Sequence, residues 1–324
     1  MLADRFGRRF SYLRLSITDI CNFRCSYCLP DGIACPKHAP APLRQDEIER
    51  LLGVFARMGM VKVRVTGGEP SVRRDLSQII RTCAKTPGIE TVAMTTNGYR
   101  LAKNIPSWHA AGLDAINISI DSLEPTMFKH ITGHDRLPEI LTGLDRALEL
   151  GLRVKVNAVL LKGLNATQLP RFLDWLRGTP ITLRFIELMR TGDNHEYFTA
   201  HHFSGQKVRE WLGERGWKRI QRPLAAGPAD EYAHPDYVGK LGLITPYGPQ
   251  FCQSCNRLRI SSQGKLHLCL FADFGIDLRP LLQRNDQAEA LQARIQSALR
   301  DKTASHQLPA GLTGATRNLA MLGG

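Results

Sequence analysis

Apolar and polar positions alternate in a repeating order through the first half of the chain. Tyr12–Ile17 has the period of two expected of a strand. Gln45–Met58 has helical spacing, with Ile48, Leu51, Leu52 and Phe55 on one side. Further along come a strand over Val61–Thr66, a helix over Asp75–Ala84 and a strand over Ile89–Thr95. A helix then ends at Trp108–Gly112, with Gly112 as its C-cap. Next are a strand over Ala115–Ile120, a helix over Pro138–Leu150 closed by Gly151, and a strand over Leu152–Leu161. A helix over Thr167–Leu176 and a strand over Ile181–Ile186 complete the series. About six βα units of roughly 30 residues each predict a parallel sheet. Six are too few for a closed eight-stranded barrel, so an open, partial barrel or a doubly wound sheet is expected.

The alternation fails after about Met189. Gly, Pro and His become frequent between Thr191 and Pro249, which predicts an irregular region between domains. Short strands follow at Leu243–Ile244, Arg257–Ile260 and Lys265–Leu270, then an amphipathic helix over Gln287–Leu299. Periodicity assigns no structure to Pro309–Gly324. The expected division is residues 1–190 and 191–324.

Composition narrows the class. Apolar residues make up 43% of the 324 positions, enough for a large core. No apolar run approaches the roughly 18 residues that span a bilayer. Met1–Phe10 is basic without a secretory apolar stretch, and strand-like sequence begins by about Ser11, which argues against a transit peptide. A soluble cytoplasmic protein that does not engage a membrane is the expectation. The net charge of +13 points to an anionic partner, nucleic acid or a polyphosphate. The chain has no run of five or six consecutive basic residues, which weakens a nucleic-acid-binding tail. Of the eight cysteines, six fall into two tight groups near opposite ends, a pattern of metal or redox chemistry rather than of a disulfide framework.

Cys21, Cys25 and Cys28 are spaced C-x3-C-x2-C directly after the first strand. Three thiolates suit zinc or an iron–sulfur cluster. Zinc would need a fourth ligand, for which His38 and Cys35 are candidates. A cubane would instead keep one iron open for a substrate. The loop Asp19–Pro30 and the stretch Thr66-Gly67-Gly68-Glu69-Pro70 both follow predicted strands, where parallel α/β architectures build sites. The paired glycines would let backbone approach a ligand closely. Together these features resemble the radical S-adenosylmethionine superfamily. The resemblance implies a 4Fe–4S cluster whose open iron chelates the methionine moiety, and reductive cleavage to a 5′-deoxyadenosyl radical.

Cys252, Cys255 and Cys269 are spaced C-x2-C-x13-C, a second metal signal. His267 makes a Cys3His zinc site a rival, since residues two apart in a strand face the same side. Against zinc, Cys255-Asn256-Arg257-Leu258-Arg259 sets two guanidiniums beside the metal, and arginine forms bidentate bonds to phosphate.

The chain now resembles, essentially end to end, the GTP 3′,8-cyclase family of molybdenum-cofactor biosynthesis. The match includes Leu13-Arg14-Leu15-Ser16-Ile17-Thr18-Asp19, Thr95-Thr96-Asn97-Gly98, Asn117-Ile118-Ser119-Ile120-Asp121 and Val154-Lys155-Val156-Asn157. It continues with Arg184-Phe185-Ile186-Glu187, Phe251-Cys252 through Arg259, and the terminal Gly323-Gly324.

The resemblance implies a partial (β/α)6 TIM-like barrel whose open side is closed by a C-terminal domain carrying a second 4Fe–4S cluster. That cluster also keeps an open iron, where the guanine base binds. Positions matching the family's GTP contacts are Arg14, Arg64, Thr95, Lys155, Arg257, Leu258 and Arg259. Those matching its S-adenosylmethionine contacts are Tyr27, Gly68, Ser119, Asn157 and Met189. Arg184 and Glu69 are expected to line the cavity. Arg257, Arg259, Gly323 and Gly324 are expected to act in catalysis. The implied reaction abstracts the ribose 3′ hydrogen of GTP and joins C3′ to C8. An electron donor, a downstream cyclic pyranopterin synthase and a homodimer are implied with it.

Two rivals remain at this level: a two-cluster radical enzyme acting on a peptide, and a zinc-stabilised nucleic-acid-binding module. Cys35 and Cys83 are expected to be incidental or packing residues, His201-His202 surface, and Trp175, Trp211 and Trp217 packing residues. Thr191–Pro235 receives no function.

Overall fold

The computed structural model describes residues 2–32, 40–221 and 227–322. Its strands are β1 (Leu2–Ala3), β2 (Arg9–Phe10), β3 (Tyr12–Ser16), β4 (Lys62–Thr66), β5 (Thr91–Thr96), β6 (Ala115–Ser119), β7 (Arg153–Leu160) and β8 (Thr182–Glu187). They continue as β9 (Lys218–Arg219), β10 (Asp230–Ala233), β11 (Lys240–Ile244), β12 (Arg257–Ile260), β13 (Lys265–His267) and β14 (Ile276–Asp277). The α-helices are α1 (Gln45–Arg57), α2 (Leu76–Lys85), α3 (Leu101–Ala110), α4 (Pro125–Thr132), α5 (Leu137–Glu149), α6 (Leu169–Gly178), α7 (His195–His201), α8 (Gly205–Gly213) and α9 (Ala288–Leu299).

β3 to β8 pair in sequence order, all parallel, as the βα repeat requires. Successive side chains of a strand point to opposite faces, and pairing register aligns them into rows. One face carries Leu15, Val65, Met94, Ile116 and Val154, which lie side by side and are buried. The positions between them are polar: Arg14 beside Arg64, and Thr95 beside Asn117 and Lys155. The apolar face is covered by helices through residues such as Ile48, Ile79 and Leu144. The polar face is left to line the lumen.

The C-terminal part joins the same sheet at both edges. β12 pairs parallel with β3, and β11 pairs parallel with β8. Eight neighbouring strands are therefore parallel, in the order β12, β3 to β8, β11. β13 and β14 extend one edge antiparallel, and β10 and β9 the other. The sheet thus runs without a break past residue 190, although the chain's βα repeat stops there.

The region expected to be irregular contains α7 and α8. Ser204 caps α8 by accepting from the Gln206 N–H, and Val208 and Leu212 are buried. α4 is also present, anchored by Phe128 and Ile131. Such short helices depend on tertiary packing more than on their own periodicity. Gly112 lies one residue beyond the C-cap Ala111, with φ at +103°. His202 is not merely a surface residue, because its Nε2 lies 3.0 Å from Glu187 Oε1. Cys83 is a buried packing residue of α2, while Cys35 and His38 fall outside the described residues.

Candidate active site

The first cysteine group lies on the loop after β3. Cys25 O accepts from the N–H groups of Cys28 and Leu29, both at 2.9 Å. The loop is docked on the end of α4 by Ser26 N to Ile131 O, at 2.9 Å, and by Phe23 stacked on His134 at 4.5 Å. It is also fastened to the turn after β4. Gly68 N donates to Thr18 O and Glu69 N to Ile20 O, both at 2.8 Å. A β-carbon on Gly67 would stand 2.6 Å from Thr18 O, and one on Gly68 would stand 2.4 Å from Ile20 O. In this structure the glycines are needed for the approach of these two backbones to each other.

Glu69 does not line the large cavity. Its buried carboxylate accepts from Ser71 N, Thr96 Oγ1 and Asn97 N at 2.6–2.9 Å, which locks the turns after β4 and β5 together. Asn97 Nδ2 passes this order on to Asn22 Oδ1 at 2.9 Å, beside Cys21.

The lumen holds an open cavity. Arg14, Lys62, Arg64, Lys155, Arg184, Arg257 and Arg259 line it, and no aspartate or glutamate does among the described residues. They come from β3, β4, β7, β8 and β12. Arg64 is held by Tyr12 Oη, by Met94 O at 3.1 Å and by Thr95 Oγ1 at 3.4 Å.

Burial and repulsion from neighbouring cations push Arg14, Lys62, Lys155, Arg184 and Arg259 toward their neutral forms. Burial and then Arg259 act on Arg14, holding it well below the usual guanidinium range. Arg184 falls to about 10 through burial and Arg64, and Arg259 to about 10 through burial and Arg257. Lys62 falls to about 8, burial being the largest cause and Arg64 and Lys155 adding to it. Tyr12 stands among them. Burial would raise its phenol, but Arg64, Arg14 and Lys62 together bring it down to about 7. Arg184 Nε and Nη2 are buried without a hydrogen-bond partner among the described residues. This wall of cations matches a polyanion.

The second cysteine group closes one end of the cavity. Cys252, Cys255 and Cys269 all line it, with Phe251, Phe271 and His306. Arg8 holds the Cys252 loop in place, donating to Cys252 O at 3.2 Å and to Thr303 O at 2.6 Å. Burial opposes ionisation of Cys252, yet hydrogen bonds from His306 prevail and bring it down to about 7. Cys255 is lowered as well, Arg257 and Lys302 outweighing its burial. In the first group burial dominates instead. It raises Cys21 to about 11 and Cys28 to about 12, and holds Cys25 well above the usual thiol range.

These donors fit iron–sulfur clusters. All six are free thiols. Among the described residues no three His, Cys, Asp or Glu side chains converge on one ion position. A cubane needs no such convergence, because each thiolate binds a separate iron. β13 ends at His267, so His267 and Cys269 do not share one strand, and the Cys3His zinc geometry loses its premise. Two polar positions suit S-adenosylmethionine as well. Asn157 Oδ1 is buried in the cavity wall without a partner among the described residues, and Ser119 is its neighbour across β6 and β7.

The expected residues distribute as follows. Arg14, Arg64, Thr95, Lys155, Arg257 and Arg259 all line the cavity, as do Asn157, Met189 and Arg184. Leu258 faces away into the core, so only its backbone remains for contact with a ligand. Tyr27 donates to Asp121 Oδ2 at 3.0 Å and packs with Cys28 and Met189 against Leu319 and Leu322. The tail is therefore ordered up to Leu322. The N–H groups of Ala320 and Leu319 point at the Cys28 sulfur, and Arg259 Nη1 donates to Leu322 O at 3.2 Å. Gly323 and Gly324 lie outside the described residues.

Tyr12, Lys62, Asn117 and His306 also line the cavity and are not among the residues expected from the sequence. Tyr12 and Lys62 lie two residues before Arg14 and Arg64, so strand period alone would have set them on the same face. His306 carries no such signal.

Two family models match the chain: Radical SAM superfamily over residues 15–176, and Molybdenum Cofactor Synthesis C over residues 181–308. The GTP 3′,8-cyclase of Shewanella denitrificans is 56% identical over 324 residues, covering 100% of this chain and 96% of that protein. The protein of the same name from Stenotrophomonas maltophilia is 56% identical, covering 100% and 99%. That from Vibrio cholerae is 53% identical, covering 99% and 97%. Among solved structures, Streptococcus suis SuiB bound to S-adenosylmethionine matches with a TM-score of 0.64 and 14% identity, over 90% of this chain and 68% of that one. At that identity the likeness speaks for the fold alone.

Proposed function

The chain belongs to the GTP 3′,8-cyclases of the radical S-adenosylmethionine superfamily, and we propose that its cysteine groups and cationic lumen divide that reaction between them. The activity converts GTP to (8S)-3′,8-cyclo-7,8-dihydroguanosine 5′-triphosphate, the first step of molybdenum-cofactor biosynthesis. Cys21, Cys25 and Cys28 would hold one 4Fe–4S cluster, and Cys252, Cys255 and Cys269 the other. When bound and reduced, the first cluster with S-adenosylmethionine supplies the radical that takes the ribose 3′ hydrogen.

Tyr27, Gly68, Ser119, Asn157 and Met189 bind S-adenosylmethionine in this reading. Arg14, Arg64, Thr95, Lys155, Arg257 and Arg259, with the Leu258 backbone, bind GTP, and the second cysteine group receives the guanine end. The chain's own task is orientation: it sets the ribose toward the first cysteine loop and excludes water. Such positioning supplies several kcal/mol of rate enhancement. In the same reading Gly323 and Gly324 take part in catalysis.

The observation that carries the reading is the cavity of seven cations, without a lining carboxylate among the described residues, with Cys252, Cys255 and Cys269 in its wall and with Cys28 packed against its lining residues Met189 and Leu270. A triphosphate carries about four negative charges, and each charge-assisted hydrogen bond contributes about 1.5–3 kcal/mol. A one-electron donor, a downstream cyclic pyranopterin synthase, a homodimeric state and a cytoplasmic location belong to the same reading. No helix among the described residues is long and apolar enough to cross a membrane.

The test is titration of the anaerobic holoenzyme with GTP and with guanosine. Arg257→Ala or Arg259→Ala should weaken GTP binding by about 2–5 kcal/mol, the range for truncating one member of a buried charge pair. Guanosine should lose far less. Equal losses for the two ligands would overturn the phosphate assignment.

A further inference from the structure

We propose that Glu231 is a built-in competitor for the substrate's phosphates. Its carboxylate holds Lys155 in the nucleotide-free protein and yields that ammonium when a polyphosphate enters. The proposal rests on the reading of the lumen as a GTP site.

Pairing register sets Asn157 beside Arg184, Arg184 beside Gly242, and Gly242 beside Glu231, across β7, β8, β11 and β10. Residues in one row share a face, so Glu231 is on the same side of the sheet as Arg184, and it reaches the cavity through its pairing with Lys155 rather than as a lining residue itself. Its neighbour Asp230 faces the other way and pairs with Arg209 and Arg219. Two strands separate Glu231 from Lys155, yet Lys155 Nζ lies 2.9 Å from Glu231 Oε1. The row is bare at Gly242, where a β-carbon would stand 2.8 Å from Arg184 Cγ. A side chain at this position would press on the Arg184 stem.

The pair is partly buried, with the Lys155 side chain 31% and the Glu231 side chain 19% exposed. Lys155 is lowered by burial and by Arg184, and Glu231 counters both. An ammonium in such a site loses much if it stands bare. Exchange of a carboxylate oxygen for a phosphate oxygen keeps a charge-assisted bond on Lys155 throughout. The displaced carboxylate then remains near the triphosphate and repels it, so affinity is held below what the cations alone would produce.

The experiment compares native holoenzyme with Glu231→Gln and Glu231→Ala, with iron content and thermal melting as controls of folding. Both variants should bind GTP about five-fold more tightly, equivalent to about 1 kcal/mol, with guanosine affinity unchanged. A lower KM for GTP without a higher kcat should accompany this. Unchanged or weaker GTP binding in both variants would overturn the proposal, as would an equal gain for guanosine. Native protein that binds GTP no better than guanosine would fail at the earlier step, the GTP reading itself, and remove the basis of the proposal.

Discussion

Gly68→Ala tests the fastening between the turn after β4 and the first cysteine loop. The added carbon would stand 2.4 Å from Ile20 O, 2.6 Å from Ile20 C and 2.8 Å from Asp19 O. All three are backbone atoms, so no side-chain rotation relieves the overlap. An ordinary contact of about 3.4 Å requires the loop to retreat by about 1 Å. The two 2.8 Å bonds, Gly68 N to Thr18 O and Glu69 N to Ile20 O, would then lengthen beyond hydrogen-bonding range. Their loss costs about 1 kcal/mol each, and the overpacking a further 1–3 kcal/mol. Cys21 follows Ile20 directly and would move with it. Metal ligation tolerates roughly 0.2 Å, so the displacement is several times too large. After anaerobic reconstitution, iron should fall to about half, the share of one of two cubanes, and deoxyadenosine formation should stop. Native iron content together with native deoxyadenosine formation would refute the reasoning, since the overlap would then have left the cysteine loop in place.

Replacing Cys252, Cys255 or Cys269 with Ser should spare deoxyadenosine formation and the first cluster but end GTP cyclisation; zinc in this site after reconstitution with excess iron would contradict that. Tyr12 is depressed from 10.0 to about 7, so its ionisation stabilises the fold fully above pH 10, and the benefit fades as pH falls through about 7. Native protein should therefore gain stability over Tyr12→Phe between those values, and ultraviolet titration should show a phenolate forming near neutral pH in the nucleotide-free protein. GTP should push that transition upward by drawing on the same cations, and a transition unmoved by GTP would separate Tyr12 from the phosphate site. Deleting Gly323-Gly324 should leave both clusters and GTP binding intact while lowering cyclised product far more than deoxyadenosine, with both quantified in anaerobic turnover; native rates of cyclised product would reduce the tail to a structural plug.

The sequence by itself determined the six βα units and both thiol groups, because each is a local pattern. Burial of one strand face writes a period of two into residues such as Leu13, Leu15, Val63 and Val65, and cluster loops need their cysteines a few residues apart. It also carried enough joint motif identity to place the family. The tertiary structure alone decided which strands are neighbours. β11 and β12 are five and four residues long and follow an irregular stretch, yet they enter the parallel sheet at opposite edges. Nothing in a strand's own period names its partner, so the row of Arg259, Arg14 and Arg64 and the Lys155–Glu231 pair exist only once register is set. The tail shows the same division. Asn318 to Gly324 has the composition of a fraying end, but Leu319 and Leu322 are buried against Leu270 because the barrel presents an apolar seat beside Cys28. Local sequence states what a segment can bury, and only the assembled sheet supplies the surface that buries it.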